Sequence, residues 1–295
     1  MNLKAFAAVA RPPFLLLPVT LVAAGAGAAA YDGHFSWSRT LLALIGLVSL
    51  HVAVNVLNEV SDNRTGIDLR TVRTPFSGGS GTLQSGAISS RSAFLFGLSA
   101  AAVGLAIGVW FLTRVGLVLL PFMIVGAVCV LGYSDFLTRF AVGEVAAGLG
   151  LGGLAVAGTA LVQDGTLGHA AVAASFPATF MTFNLLLLNE FPDEEADFTG
   201  GRRHLVIRLG RETAALVYTV AGLLTPIAIL VAVAINIFPV IALAALIPSI
   251  LLAKPIRWAF TNPAGAIPLP ALGGNVFWNL GTNLVLAATF AIAAL

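Results

Sequence analysis

Residues 40–57 read TLLALIGLVSLHVAVNVL, an apolar run that ends where Asn58 opens a polar segment. A membrane-crossing helix needs about 20 mostly apolar residues. Runs of this kind recur near residues 13–30, 40–57, 93–112, 115–133, 142–162, 168–188, 214–235, 237–253 and 274–294. They lack the alternation of apolar and polar residues that is typical of membrane β-barrel strands. The pattern predicts an all-α, polytopic membrane protein with about nine transmembrane helices in a single bundle around a central cavity.

The composition supports a membrane protein. The chain has 295 residues, of which 58% are hydrophobic and 9% are charged, whereas a soluble domain carries about 25% charged residues. Most of the outer surface must therefore face lipid, and we expect the lipid bilayer, rather than a nucleic acid, as its surroundings. Lys4, Arg11 and the apolar residues 14–22 imitate a signal peptide, but we expect them to belong to a retained first span. Residues 1–295 are predicted to form a single transmembrane domain.

The basic residues predict the orientation. With the N-terminus in the cytoplasm, all but two of the 15 Lys and Arg residues fall in cytoplasmic segments, the exceptions being Arg39 and Arg114. Positive charge is retained on the cytoplasmic side of a membrane. Two polar loops, near residues 58–92 and 189–213, are separated by an even number of spans and so emerge on this same face. We expect an integral protein of the plasma or inner membrane, with the N-terminus and both loops cytoplasmic.

The first polar loop begins with a group of acidic and amide side chains. Asn55, Asn58, Glu59 and Asp62 are spaced by three and four residues, and share one face if the helix continues; Asp68 follows. Acidic residues at a membrane helix end are costly to bury and usually line a functional cavity. A solvated helix terminus would explain one or two of them well, and explains less well a polar face that begins inside the apolar run.

The second polar loop contains a matching stripe. Asn189, Asp193 and Asp197 are four residues apart, so they follow one helix face. Two such stripes suit a pair of hard divalent cations, because Mg²⁺ takes a few carboxylates and completes its shell with water and phosphate oxygens. Arginines follow both stripes and complement phosphate charge. The Gly/Ser-rich residues 77–82 either bind an anion through their backbone N–H groups or are simply flexible.

These residues resemble the UbiA superfamily of intramembrane prenyltransferases. That family has an Asn-Asp-x-x-Asp motif after the second of nine helices and an Asp-x-x-x-Asp motif after the sixth. The counterparts here are Asn58-Glu59-x-x-Asp62 and Asp193-x-x-x-Asp197, with Glu59 in place of the usual Asp. The stretch from Asp62 through Gly66 to Asp68 is similar to the 1,4-dihydroxy-2-naphthoate prenyltransferases of menaquinone synthesis. The Gly143-Glu144 pair and Asn189 also resemble that branch.

The resemblance implies a function and a site. The function is Mg²⁺-dependent transfer of a prenyl chain from an allylic diphosphate to an aromatic acceptor, 1,4-dihydroxy-2-naphthoate in the most similar branch. The implied catalytic residues are Asp62, Asp193 and Asp197. The implied ligands of two Mg²⁺ ions are Asn58, Glu59, Asp62, Asp68, Asn189, Asp193 and Asp197. The implied diphosphate-binding residues are Arg70, Arg73, Arg202 and Arg203.

Other functions fit the same residues. The acceptor could be 4-hydroxybenzoate, a tetrapyrrole or a glycerol phosphate lipid, and a cyclase would ionise the diphosphate without any acceptor. A transporter would also keep ionisable residues in a polar cavity, but transport sites usually lie near the membrane midplane at broken helices. Here the acidic residues cluster at one end of the spans. The length of the prenyl chain and the oligomeric state stay open.

Overall fold

The computed structural model describes residues 2–295, and over that range the regular secondary structure is helical throughout. The α-helices are α1 Leu3–Val9, α2 Leu16–Tyr31, α3 Trp37–Thr65, α4 Ser90–Val115, α5 Leu120–Leu131, α6 Gly143–Ala146, α7 Leu154–Asp164, α8 His169–Thr199, α9 Leu205–Leu209, α10 Arg211–Ala234, α11 Ala253–Thr261 and α12 Leu269–Ala293. A π-helical segment, Ala147–Gly153, joins α6 to α7, and a 3₁₀ helix, Val240–Leu252, leads into α11. The predicted all-α class is confirmed.

Eight helical segments of the described chain are long and apolar enough to cross a membrane: Pro12–Tyr31, Trp37–Thr65, Ser90–Val115, Gly143–Asp164, His169–Thr199, Arg211–Ala234, Val240–Thr261 and Leu269–Ala293. The predicted run 115–133 instead forms a shorter apolar helix, Leu117–Leu131. Gly116, at φ +85°, ends α4 just before it, and α5 stops at Gly132. The expected count of nine spans is therefore not confirmed, whereas an integral membrane protein is.

Small residues let the central helices approach closely, as is common where membrane helices pack. In α2, a Cβ added to Gly25 would lie 2.4 Å from the backbone oxygen of Val156 on α7. The buried core of this region joins alanines of α2, α7 and α8 to Leu286 and Phe290 of α12. The close packing leaves α2, α3, α8 and α12 around a common centre.

The two polar loops begin later than the sequence predicted. Helix α3 continues to Thr65 and α8 continues through Pro192 to Thr199. Both polar motifs thus lie on the last turns of long helices, because the helical hydrogen bonding extends beyond the apolar run. Helical spacing, rather than loop conformation, positions their side chains.

Candidate active site

A cavity of about 330 Å³ lies between the ends of α2, α3, α8 and α12. Along α3 its lining runs from His51 to Asp62, about 16 Å of helix at 1.5 Å per residue. Along α8 it runs from Thr182 to Asp197, about 22 Å on the same scale. The cavity is therefore polar at the ends of α3 and α8, and the rest of its wall is largely apolar and includes Phe14, Leu17, Leu151, Leu185, Phe277 and Leu280.

Six of the seven predicted metal ligands line this cavity. They are Asn58, Asp62, Asp68, Asn189, Asp193 and Asp197. On α3 and α8 their spacing of four residues keeps each set on one helix face, and the two faces meet at the polar end of the cavity. The structure thus brings the two sequence stripes together, although the residues come from helices far apart in the chain.

Arg202 joins the two stripes. Its Nη1 donates to Asp197 Oδ1 at 3.1 Å, and its Nη2 donates to Asp62 Oδ1. In the amide orientation that satisfies both of its polar atoms, Asn58 accepts from Nη2 at 2.8 Å and donates to Asp62 Oδ2 at 3.2 Å. Burial alone would lower the pKa of Arg202, but the carboxylates of Asp197 and Asp62 raise it above its usual value. Arg202 is therefore a fixed cation between the aspartates.

Asp68 reaches the cavity from the loop after α3. It is buried, and Gln84 Nε2 donates to its Oδ2 at 2.9 Å. Burial raises the pKa of Asp68, and the hydrogen bond from Gln84 offsets part of that rise. Gly79 crosses directly over the carboxylate at φ +62°, where an added Cβ would lie 2.5 Å from Asp68 Oδ1. Only glycine fits this crossing without displacing Asp68.

Glu59 is the predicted ligand that the structure places elsewhere. It is buried but does not line the cavity. Its carboxylate accepts from the backbone N–H of Ser80 at 2.5 Å and from Ser80 Oγ at 2.6 Å, and Arg11 Nε lies 3.8 Å away. One residue turns a helical side chain by about 100°, so Glu59 faces the Gly/Ser-rich loop while Asn58 and Asp62 face the cavity. Glu59 therefore lies outside the cavity lining, and its role as a metal ligand stays a prediction.

The arginines near the two motifs also differ in whether they line the cavity. Among the four predicted diphosphate-binding residues, only Arg202 lines the cavity. Arg70 and Arg73 are exposed, and Arg203 lies over the ring of Phe198 at 4.6 Å. Arg11, which the sequence motifs did not single out as a phosphate ligand, also lines the cavity. The available signal was its position in Arg11-Pro12-Pro13, directly before the first apolar run.

The residues present fit a hard divalent cation. Asp193 Oδ1 is buried and has no hydrogen-bond partner among the described residues. Buried carboxylate oxygens are normally paired or bound to a metal. The surrounding donors are further carboxylate and amide oxygens, the set that Mg²⁺ prefers. The orphaned oxygen and its neighbours therefore form a site that can accept such an ion.

A polytopic helical bundle with converging aspartates at the mouth of an apolar cavity defines a class of intramembrane enzyme. The sequence model of the UbiA prenyltransferase family matches residues 16–281. The chain belongs to this family and is a prenyltransferase.

Particular relatives extend the match. The 1,4-dihydroxy-2-naphthoate octaprenyltransferase of Mycobacterium tuberculosis is 30% identical over 233 residues, which cover 73% of this chain and 75% of the relative. Among solved structures, the apo UbiA homologue from Aeropyrum pernix K1 has a TM-score of 0.72 and is 17% identical, covering 96% of this chain and 98% of that one. A UbiA homologue from Archaeoglobus fulgidus bound to GPP and Mg²⁺ has a TM-score of 0.68 at 19% identity, with 98% of each chain covered.

Proposed function

We propose that the protein transfers a prenyl chain from an allylic prenyl diphosphate to 1,4-dihydroxy-2-naphthoate, in a reaction that depends on Mg²⁺. The observation that carries the proposal is the convergence of Asp62 on α3 with Asp193 and Asp197 on α8, at the polar end of an otherwise apolar cavity. A diphosphate linked to a hydrocarbon chain has the same division between a charged end and an apolar end.

The polar end would hold the metal and the diphosphate. We propose that Asn58, Asp62, Asp68, Asn189, Asp193 and Asp197 bind two Mg²⁺ ions. Bound Mg²⁺ supplies Lewis-acid stabilisation of the negative charge that develops on the departing diphosphate. Arg11 and Arg202 add fixed positive charge in the same wall, and we assign the phosphate contacts to them, since Arg70, Arg73 and Arg203 lie outside the cavity lining.

The apolar part of the cavity would receive the prenyl chain. Its wall includes Phe14 just before α2, Leu17 on α2, Leu185 on α8, and Phe277 and Leu280 on α12. Departure of the diphosphate leaves an allylic cation, which water would capture. A water-poor wall of this kind favours attack by the acceptor ring instead.

The acceptor is proposed from the sequence relatives. The mycobacterial relative at 30% identity is named for 1,4-dihydroxy-2-naphthoate, and the Gly66-x-Asp68 stretch resembles the same branch. The distribution of Lys and Arg supports a cytoplasmic N-terminus and a cytoplasmic opening of the site. Acceptor and prenyl diphosphate would then both enter from that side.

The test uses protein purified in detergent, Mg²⁺ and a radiolabelled prenyl diphosphate, with and without 1,4-dihydroxy-2-naphthoate. Labelled lipid product that needs both the naphthoate and Mg²⁺, and is absent with EDTA or with Asp193→Asn, would support the proposal. Diphosphate release with no naphthoate product would reject this acceptor while retaining the ionisation. Stable substrate across several chain lengths and acceptors would reject the proposed reaction.

A further inference from the structure

A second group of metal-binding side chains lies beside the proposed Mg²⁺ site. Glu144 at the start of α6, Glu190 on α8 and His204 before α9 each offer one ligand atom, and these atoms lie within 4.8 Å of one another. The residues are 0%, 6% and 1% exposed, respectively. Three separate segments of the chain thus place potential metal ligands at one buried site.

Two hydrogen bonds join the segment around His204 to the segment around Glu144. The N–H of Arg203 donates to the carbonyl of Thr138 at 2.9 Å, which joins the segment after α8 to the segment before α6. The N–H of Leu205 donates to Glu144 Oε1 at 2.5 Å. Because both contacts flank His204, they fix it against Glu144 whether or not an ion is present.

The remaining ligand atoms of this group make no hydrogen bonds. Glu144 Oε2, Glu190 Oε2 and both ring nitrogens of His204 are buried and make no hydrogen bond with the described residues. His204 Nδ1 lies 3.8 Å from Glu190 Oε2, and its Nε2 lies 3.4 Å from Asp197 Oδ2. The neighbouring cation, Arg202, is already bonded to Asp62 and Asp197. Buried polar atoms normally find partners, so this concentration of atoms without hydrogen bonds suits a positively charged ligand.

We propose that Glu144, Glu190 and His204 bind a divalent transition-metal ion, such as Zn²⁺ or Mn²⁺, at a site distinct from the aspartate cluster. Two carboxylates and an imidazole form a mixed oxygen and nitrogen donor set, which suits transition metals, whereas Mg²⁺ prefers oxygen alone. In a tetrahedral zinc site with bonds of about 2.0–2.1 Å, ligand atoms lie about 3.3 Å apart. The ligand atoms of the three side chains lie within 4.8 Å of one another, so the side chains must move closer together to hold the ion.

The site adjoins the cavity through one residue. Glu190 is the member of the set that also lines the cavity wall, so an ion can enter from that side. Three protein ligands leave a position free, as in metal sites that bind a further molecule. The proposal concerns binding of the ion and stands whether or not the naphthoate is the acceptor.

Cobalt provides a test that does not depend on enzyme activity. Purified full-length protein is stripped with a chelator, saturated with Mg²⁺ to fill oxygen-only sites, and titrated with Co²⁺ while visible absorption is recorded. We expect one Co²⁺ per chain with the strong absorption bands of a four-coordinate mixed-ligand site, displaced stoichiometrically by Zn²⁺. Wild-type protein that takes up no Co²⁺ in excess Mg²⁺ would overturn the proposal, and would indicate that the two carboxyl groups share a proton instead.

Variants locate the ion. Glu144→Gln and His204→Ala should each weaken Co²⁺ binding more than about 100-fold, since losing a group that merely orients a ligand already costs roughly 10–100-fold. Glu194→Gln is the matched control, because Glu194 lies on the same helix and pairs with Arg211 at 2.8 Å instead. Asp193→Asn should also bind Co²⁺ normally. Unchanged binding in both Glu144→Gln and His204→Ala, or its loss in Asp193→Asn, would place the ion elsewhere and refute this site.

Discussion

Arg202 and Asp62 are 140 residues apart in the sequence and form a buried ion pair across the mouth of the cavity. The same guanidinium also bonds Asp197, so a single side chain connects the motif on α3 to the motif on α8. Arginine suits this position because its planar fork can donate to two carboxylates at once. Without substrate, two of the three predicted catalytic aspartates, Asp62 and Asp197, are thus paired with the Arg202 guanidinium.

Replacing Arg202 by alanine should lower the thermal stability of the protein, and bound Mg²⁺ should restore part of that stability. Breaking a buried ion pair by deleting one partner typically costs about 3–5 kcal/mol. Arg202→Ala should therefore unfold at a lower temperature than wild type in EDTA, and Mg²⁺ should restore more stability to the variant than to wild type. Thermal unfolding in detergent with and without Mg²⁺ measures this difference.

The same variant should lose prenyl transfer by at least about 100-fold, since the proposed charge contact to the diphosphate is removed. Arg203→Ala is the control, because Arg203 is adjacent in sequence and lies outside the cavity lining. Equal stability and equal activity for the two variants would contradict the bridging role of Arg202.

Asp193 should be needed for Mg²⁺-dependent turnover because its Oδ1 is buried without a partner. Asp193→Asn keeps the shape of the side chain but removes the charge, and losing a metal contact worth several kcal/mol lowers the rate by at least about 100-fold. Product formation at saturating Mg²⁺ measures the loss. Glu195→Gln, on the same helix but outside the cavity lining, should stay within a few-fold of wild type. Near wild-type turnover of Asp193→Asn would remove this residue from the metal site.

Glu59 should support the loop and leave the metal affinity unchanged. Its carboxylate holds the N–H and hydroxyl of Ser80, and Gln can accept one of these bonds while rotating its amide to suit the other. Glu59→Gln should keep activity within about tenfold of wild type, with the same Mg²⁺ concentration for half-maximal rate. Asp62→Asn is the comparison, and should shift or abolish the Mg²⁺ response. If Glu59→Gln shifted the Mg²⁺ response as strongly, Glu59 would be a ligand after all.

The fold was largely predictable because lipid imposes a simple rule on the chain. Runs of about 20 apolar residues must become helices, and the helical spacing of Asp193 and Asp197 then places both on one face. The shorter helix after Gly116 was harder to predict, since its length depends on Gly116, which ends α4, and on Gly132, which ends α5.

The site was only partly predictable, because several of its features depend on contacts between distant segments. Glu59 points away from the cavity because the Gly/Ser-rich loop folds back and brings Ser80 to its carboxylate. Arg11, and not Arg70, lines the cavity because of how the segment before α2 packs. The grouping of Glu144 with His204 depends on the backbone contact between Arg203 and Thr138. The spacing of residues along the chain does not predict contacts between distant segments. The assigned metal and phosphate roles therefore stay predictions.

Gly79 offers the sharpest test of the loop that carries Asp68. Gly79 and Gly86 both have positive φ angles, +62° and +71°, so replacing either by alanine adds a comparable backbone strain of about 1 kcal/mol. They differ in what the new methyl group meets: at Gly79 it would lie 2.5 Å from Asp68 Oδ1, whereas at Gly86 there is nothing within 4 Å. Gly79→Ala must therefore displace the Asp68 carboxylate, and Gly86→Ala need not.

We accordingly expect Gly79→Ala to raise the Mg²⁺ requirement and to lower prenyl transfer by at least about tenfold, while Gly86→Ala retains wild-type Mg²⁺ dependence. Thermal unfolding of both variants checks that the strain is matched, and Mg²⁺ titrations of activity compare the site. Equal Mg²⁺ responses in the two variants, at equal stability, would show that Asp68 does not contribute to the metal site. A response specific to Gly79→Ala would connect the conformation of the Gly/Ser-rich loop directly to metal binding.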